Sequence, residues 1–200
     1  MADLAEVLRR RRMVRDFEDR PLDPGQLDQL LWAARRAPSA GNTQGTELLV
    51  LEGPEQTAAY WDVTLAPERR ATFRWPGLLR APVLLVPCAH AQAYVDRYGE
   101  PDKAATGLGA GADQWAVPYW HVDAGMAAMA VLLTAVDLGL GALLFGLFDH
   151  EAAVRARFGI PDERHPVATI AVGHPRPDAP GRSAGRIRRP AEAVVHRGSW

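Results

Sequence analysis

Cysteine is nearly missing from this 200-residue sequence: Cys88 stands alone, so neither an intrachain disulfide nor a thiolate metal cluster can form. It continues the apolar run Val83 to Pro87, the setting of a buried structural thiol rather than of a nucleophile. Lysine is equally scarce. Lys103 is the one lysine among 23 basic residues; the arginines that replace it suit paired contacts to phosphate, and a codon bias would give the same composition. His90, His121, His150, His165, His174 and His196 are scattered, with no His-Glu-x-x-His or paired-cysteine spacing, so no metal is expected. Long apolar runs are missing too. The longest, Ala124 to Val136, is bounded by Asp123 and Asp137, is too short to cross a bilayer and reads as a core helix. The opening Met-Ala-Asp-Leu-Ala-Glu has no apolar h-region, and a cytoplasmic protein with no membrane partner is expected. A formal net charge of -1 argues against a nucleic-acid partner and leaves the basic clusters Arg9 to Arg12 and Arg186 to Arg189 as local features.

Nothing in the sequence has the composition of a long linker and no repeat is visible, so residues 1–200 read as one domain. Apolar spacing predicts a first helix from about Asp3 to Arg12. A second is signalled by Asp23 as N-cap, Pro24 as first helical residue and Gln26 in a capping-box-like position, with Pro38 ending it. A strand over Leu48 to Leu51 follows the polar loop Ser39 to Thr46, and a second strand is expected at Val83 to Val86. Glu55 to Arg80 is helical in pattern, interrupted by Pro67 and Pro76. Gly107, Gly109 and Gly111 follow no strand pattern, which excludes a dinucleotide fingerprint and suggests a loop. A long helix is predicted from about Pro118 to Leu138 with Ala124, Ala128, Leu132 and Ala135 on one small-residue face. After it come a strand Ala142 to Phe145, a helix Asp149 to Phe158 closed by Gly159, and a strand Val167 to Val172. The tail from His174 onward, rich in Pro, Gly and Arg, should be extended. Strands separated by helices of unequal length, with no repeating βαβ unit, favour an α+β sandwich over a Rossmann fold.

Three polar or basic segments punctuate this plan: Arg11 to Phe17, Pro38 to Gln44, and Gly185 to Pro190. Guanidinium groups form paired, charge-assisted hydrogen bonds with phosphate oxygens. The hydroxyl, amides and glycine of Ser39 to Gln44 suit the polar edge of a planar heterocycle, and they equally suit an ordinary turn.

In this order the segments resemble the nitroreductase family. The likeness lies in Arg12-x-x-Arg15-x-Phe17, in Pro38-Ser39-x-x-Asn42-x-Gln44 and in the basic stretch Arg186 to Pro190. It extends to Val122 to Ala128, Leu138 to Gly141, Leu144-Phe145-Gly146, Phe158 to Pro161 and Val167 to Pro175. The resemblance implies a nitroreductase-like α+β fold, with a mixed central sheet flanked by helices and a C-terminal tail laid on the partner of a homodimer. It implies bound FMN and an oxidoreductase passing reducing equivalents from NAD(P)H to a small aromatic acceptor, such as a nitroaromatic or quinone, in a ping-pong cycle. By residue, it implies Arg11, Arg12 and Arg15 near the FMN phosphate and ribityl chain with Met13 beside them, and Arg186 and Arg188 completing the phosphate site. Pro38, Ser39 and Asn42 would come from the partner subunit, with Leu144, Phe145 and Gly146 on the other side of the ring; no catalytic side chain is implied. The same fold hosts flavin-dependent dehydrogenases or oxidases of biosynthetic intermediates and flavin-fragmenting enzymes, and a deazaflavin or a non-catalytic flavin-binding protein stays open beside them. One departure stands out. The family commonly follows the Gln of the second motif with Pro and an aromatic residue, whereas this chain has Gly45-Thr46, which suggests a looser strand entry. The aromatics Tyr94, Tyr98, Trp115, Tyr119 and Trp120 are candidates to stack on a flat substrate, while Trp120 and His121 also read as the start of a packed helix.

Overall fold

The computed structural model describes residues 3–177, 181 and 184–200. In chain order it contains α1 (Leu4–Arg10), α2 (Gln26–Arg35), β1 (Thr46–Glu52), α3 (Gly53–Thr64), the single-turn α4 (Pro67–Arg70), β2 (Val83–Ala89) and α5 (Ala91–Gly99). These are followed by α6 (Tyr119–Asp137), β3 (Gly141–Phe145), α7 (Glu151–Phe158), β4 (His165–Pro166) and β5 (Thr169–Gly173). The strands lie in the order β1-β2-β5-β3, with the two-residue β4 paired to the end of β2.

Every ladder between these strands is antiparallel. The expected mixed sheet is therefore corrected in detail: among the described residues its parallel component is the isolated bridge from Met13 to Ala142. That bridge needs close approach, because a Cβ on Gly141 would lie 2.9 Å from the Val14 side chain.

Period-two alternation divides the core. Val83 and Leu85 of β2, with Ala142, Ile170 and Val172, meet the helix pair α2 and α6 through Leu30, Ala34, Ala128 and Val131. Leu84 and Val86, with Leu143 and Ala171, meet the opposite layer through Tyr60, Trp61 and Val154 of α3 and α7. All seven residues of β2 are buried, as a strand covered by helices on both faces requires. By length and hydropathy α6 passes as a membrane span, but its alanines 124, 127, 128 and 135 are packed inward, in keeping with the predicted core helix.

Some element ends moved for local reasons. The N–H of Asp23 donates to Gln26 Oε1 at 2.8 Å, one half of a capping box, while the Asp23 carboxylate accepts from Arg20; α2 consequently starts at Gln26, behind the left-handed Gly25, and not at Pro24. Gly159 closes α7 in the left-handed conformation, as predicted. The segment after α5 consists of three 3₁₀ turns, Ala104–Thr106, Leu108–Ala110 and Ala112–Gln114. The predicted extended tail includes residues 178–180 and 182–183, which lie outside the described residues; in its described part only Ala191–Ala193 forms a regular turn.

Cys88 is buried in β2, and burial, helped by the charge of Glu47, pushes its thiol up to about 11. Since the thiolate is the reactive form, native protein at pH 8 should leave this thiol unmodified by a disulfide reagent over the time in which urea-unfolded protein reacts completely; equal rates in the two states would overturn the assignment.

Candidate functional site

After α1 the chain runs extended beside β3, where the Val14 N–H donates to the Ala142 carbonyl at 3.0 Å. This register places Arg15, half-buried, on the lining of a cavity of ≈ 330 Å³ that it shares with Trp61, Trp75, Leu144, Phe145 and Gly146.

 That volume lies within the roughly 300–1,000 Å³ usual for ligand pockets. Arg15 Nη1 donates to the Met13 carbonyl at 3.1 Å, and the guanidinium lies 5.3 Å from the centroid of the Trp75 ring. The tail passes the same group, since a Cβ on Gly181 would sit 3.0 Å from Arg15 Nη1. Trp61 stacks on Phe145 with centroids 5.9 Å apart, and its buried Nε1 has no hydrogen-bond partner among the described residues.

A separate cavity of ≈ 450 Å³ is lined by Arg20, Arg70 and Arg80, among others. Each of these is already paired with carboxylates: Arg20 with Glu18 and Asp23, Arg70 with Asp62, Arg80 with Asp16. Size alone does not make it the better phosphate site.

The second predicted segment sits elsewhere. Pro38 and Ser39 line a small cavity of ≈ 140 Å³ together with Gln44 and Asp123. The loop is bent by left-handed residues at Gly41 (φ 62), Asn42 (φ 54) and Gln44 (φ 57), and each non-glycine residue there costs about 1–2 kcal/mol that its surroundings must offset. Part of the offset is visible. Ser39 Oγ accepts from the Gln44 N–H at 2.8 Å, and Asp123 Oδ2 accepts from the Ala40 N–H at 2.9 Å.

Within one chain, therefore, Arg15, Leu144, Phe145 and Gly146 come together, with Met13 packed beside them on β3, while Pro38 and Ser39 line a different cavity and Asn42 is exposed. Arg11 caps α1 and Arg12 is exposed next to it; Arg186 and Arg188 are exposed on the tail. The expected loose entry to β1 is not found: pairing with β2 begins at Thr46, and Gly45 accepts a hydrogen bond from the His90 N–H at 3.0 Å.

Of the aromatic segment, Trp115 is buried and not free to stack on a substrate. It makes edge contacts with Tyr94, Tyr98, Tyr119 and Trp120, and its Nε1 donates to the Leu108 carbonyl, so it pins the 3₁₀ turns to α5 and α6. Trp120 and His121 lie in the first turn of α6; burial, and secondarily the charge of His165, hold the His121 imidazole below its ordinary range. Sequence reasoning missed Asp123 as a loop anchor, whose signal was a lone carboxylate opening an apolar helix. It also missed Phe148, for which no local signal exists. Phe148 is 86% exposed, holds φ 47 and lies across Gly146, where a Cβ would meet its ring at 2.8 Å. Exposure leaves little burial to lose and the backbone strain is relieved by glycine, so Phe148→Gly should raise the unfolding free energy by about 0.5–1 kcal/mol in urea titration; a loss of about 3 kcal/mol, as for a buried phenylalanine, would refute the reading of strain.

A model of the nitroreductase family matches residues 8–174. Among curated relatives, the FMN reductase [NAD(P)H] of Bacillus subtilis (strain 168) is 27% identical over 211 residues, covering 100% of this chain and 75% of the relative. The NADH dehydrogenase of Thermus thermophilus is 30% identical over 200 residues, covering 93% of this chain and 91% of the relative. Among solved structures, the nitroreductase CinD from Lactococcus lactis in complex with nicotinic acid superposes with a TM-score of 0.76 at 18% identity, covering 97% of this chain and 98% of that one, a likeness of fold.

Proposed function

The chain belongs to the nitroreductase family, and on that premise we propose that it is an NAD(P)H-dependent FMN oxidoreductase that reduces a small aromatic acceptor, such as a nitroaromatic or quinone, in a ping-pong cycle. The observation that carries this reading is the aromatic-walled cavity holding Arg15 beside Leu144, Phe145 and Gly146. The names of the Bacillus and Thermus relatives support the nicotinamide donor, and the former supports FMN.

The donor set fits FMN. A guanidinium on a lining that is otherwise mostly aromatic and aliphatic, with Thr64 and His150 as its further polar side chains, matches a phosphate attached to a flat ring system. Arg15, with Arg11 and Arg12 before it and Arg186 and Arg188 from the tail, would hold the phosphate; Leu144 to Gly146 would line one side of the ring. FMN, when bound, supplies the electron-transfer chemistry that no side chain here can supply. The protein's part is to bind and orient, to exclude water with Trp61, Trp75 and Phe145, and to admit nicotinamide and acceptor in turn.

The proposal includes a homodimer in which Pro38, Ser39 and Asn42 of the partner complete the site. Its support is the separation of these residues from Arg15 within one chain, together with an apolar surface. Tyr119, Val122, Met126 and Met129 form an exposed stripe along α6, near the exposed Leu4 and Leu8 of α1 and Trp32 of α2. A cytoplasmic location and a tail laid on the partner belong to the same reading.

Anaerobic addition of NADH or NADPH to the FMN-loaded protein should bleach the bound-flavin absorption band, and a persistent oxidised spectrum with both donors would refute the oxidoreductase. Arg15→Ala and Arg188→Ala should each weaken FMN binding by about tenfold or more, the loss of one charge-assisted hydrogen bond; unchanged affinity in both variants would remove the phosphate assignment.

A further inference from the structure

We infer that Tyr94 and Asp123, helped by Arg97 and Tyr98, form a clamp that holds the Ser39 to Gln44 loop in its left-handed shape and so sets the orientation in which its polar groups meet the flavin. This rests on the reading of that loop as a flavin contact. The four are positioning residues and act through the loop.

The loop cannot hold its shape by local preference, since Asn42 and Gln44 both occupy positive φ. The contacts that hold it come from two helices distant in sequence. From α6, Asp123 is 3% exposed and accepts at one oxygen both the Ala40 N–H, at 2.9 Å, and the Tyr94 hydroxyl, at 2.7 Å. From α5, Arg97 Nε donates to the Gly41 carbonyl at 2.9 Å, and its other nitrogens are fixed by both oxygens of Asp102 at 2.7 and 2.8 Å. Tyr94, Arg97 and Tyr98 follow i, i+3, i+4 spacing and so share one face of α5.

The two tyrosine rings explain two glycines. A Cβ on Gly41 would lie 2.8 Å from the Tyr98 ring, and one on Gly45 would lie 2.5 Å from the Tyr94 ring. Tyr94 is fully buried, with Trp115 and Trp120 against it, so its ring has nowhere to retreat. The glycine that stands where the family commonly has proline is thus the partner of Tyr94. Because Asp123 joins the loop to Tyr94 through a single oxygen, removing the tyrosine hydroxyl loosens the acceptor that the Ala40 N–H depends on.

Wild type, Tyr94→Phe and Asp123→Ala separate the possibilities, read by amide hydrogen exchange without flavin and by FMN titration well below the melting temperature. Tyr94→Phe should speed exchange across residues 40–44 and weaken FMN binding, each by about tenfold, the loss of one hydrogen bond to a charged group. Asp123→Ala removes the shared acceptor itself and should lose at least as much as Tyr94→Phe in both. Wild-type exchange in Tyr94→Phe overturns the clamp. Faster exchange with unchanged FMN affinity overturns the positioning role, because a purely structural contact would behave in that way. A loss in Asp123→Ala clearly smaller than in Tyr94→Phe overturns the shared-acceptor account. Wild-type protein that binds no FMN overturns the flavin reading itself, while the exchange measurement still decides whether the clamp exists.

Discussion

Burial of β2 along its whole length is the constraint on which the other elements depend. A strand with helices over both faces admits no charged side chain on either, so its seven residues read Val-Leu-Leu-Val-Pro-Cys-Ala, and its neighbours must present apolar faces in alternation. Leu84 and Val86 need α3 and α7; Val83 and Leu85 need α2 and α6. With both broad faces covered, polar work is left to the strand ends and to the loops around them. Arg15 reaches its cavity because Met13 and Val14 extend the sheet beside β3, and the Ser39 to Gln44 loop leads directly into β1.

The two candidate regions are stabilised in different ways. Around Arg15 the lining is mostly aromatic and aliphatic, and the shape follows from core packing that continues to the surface. Around Ser39 the backbone adopts conformations its own residues do not favour, and hydrogen bonds from Asp123 and Arg97 compensate. The first region tolerates volume-conserving changes of apolar residues in the way cores do, whereas the second depends on individual donors and acceptors.

Elements with a strong periodic or terminal signal were legible from sequence. The small-residue face of α6, the αL stop at Gly159 and the apolar run of β2 all appear where local pattern placed them. The strand expected at Val83 to Val86 runs on through Pro87 to Ala89. Pro87 is tolerated inside the strand because the ladder to β5 covers only Val83 to Leu85, so no β5 carbonyl opposite position 87 needs its missing N–H. Of the candidate site, the arginines and the polar loop were visible by residue type and order. The tyrosines of α5 were not, because what they touch is a loop about fifty residues away, and helical spacing reports a shared face without its partner. Arg186 and Arg188 illustrate the same limit: composition marks them as phosphate-binding types, while their exposed position on the tail follows from no local rule.

The strand order also dictates when the core can come into being. Among the described strands β5 comes last in sequence, yet it lies between β2 and β3 and is the one strand that β3 pairs with. As the chain leaves the ribosome, α6 and β3 emerge before the strand that joins them to the rest of the sheet, so a 19-residue helix of membrane-like hydropathy waits without its full cover until Thr169 to Gly173 has been made. Assembly of the sheet is thereby tied to synthesis of β5, and the interval before it is the period in which the nascent protein is most open to unwanted association with bilayers, with chaperones or with other copies of itself.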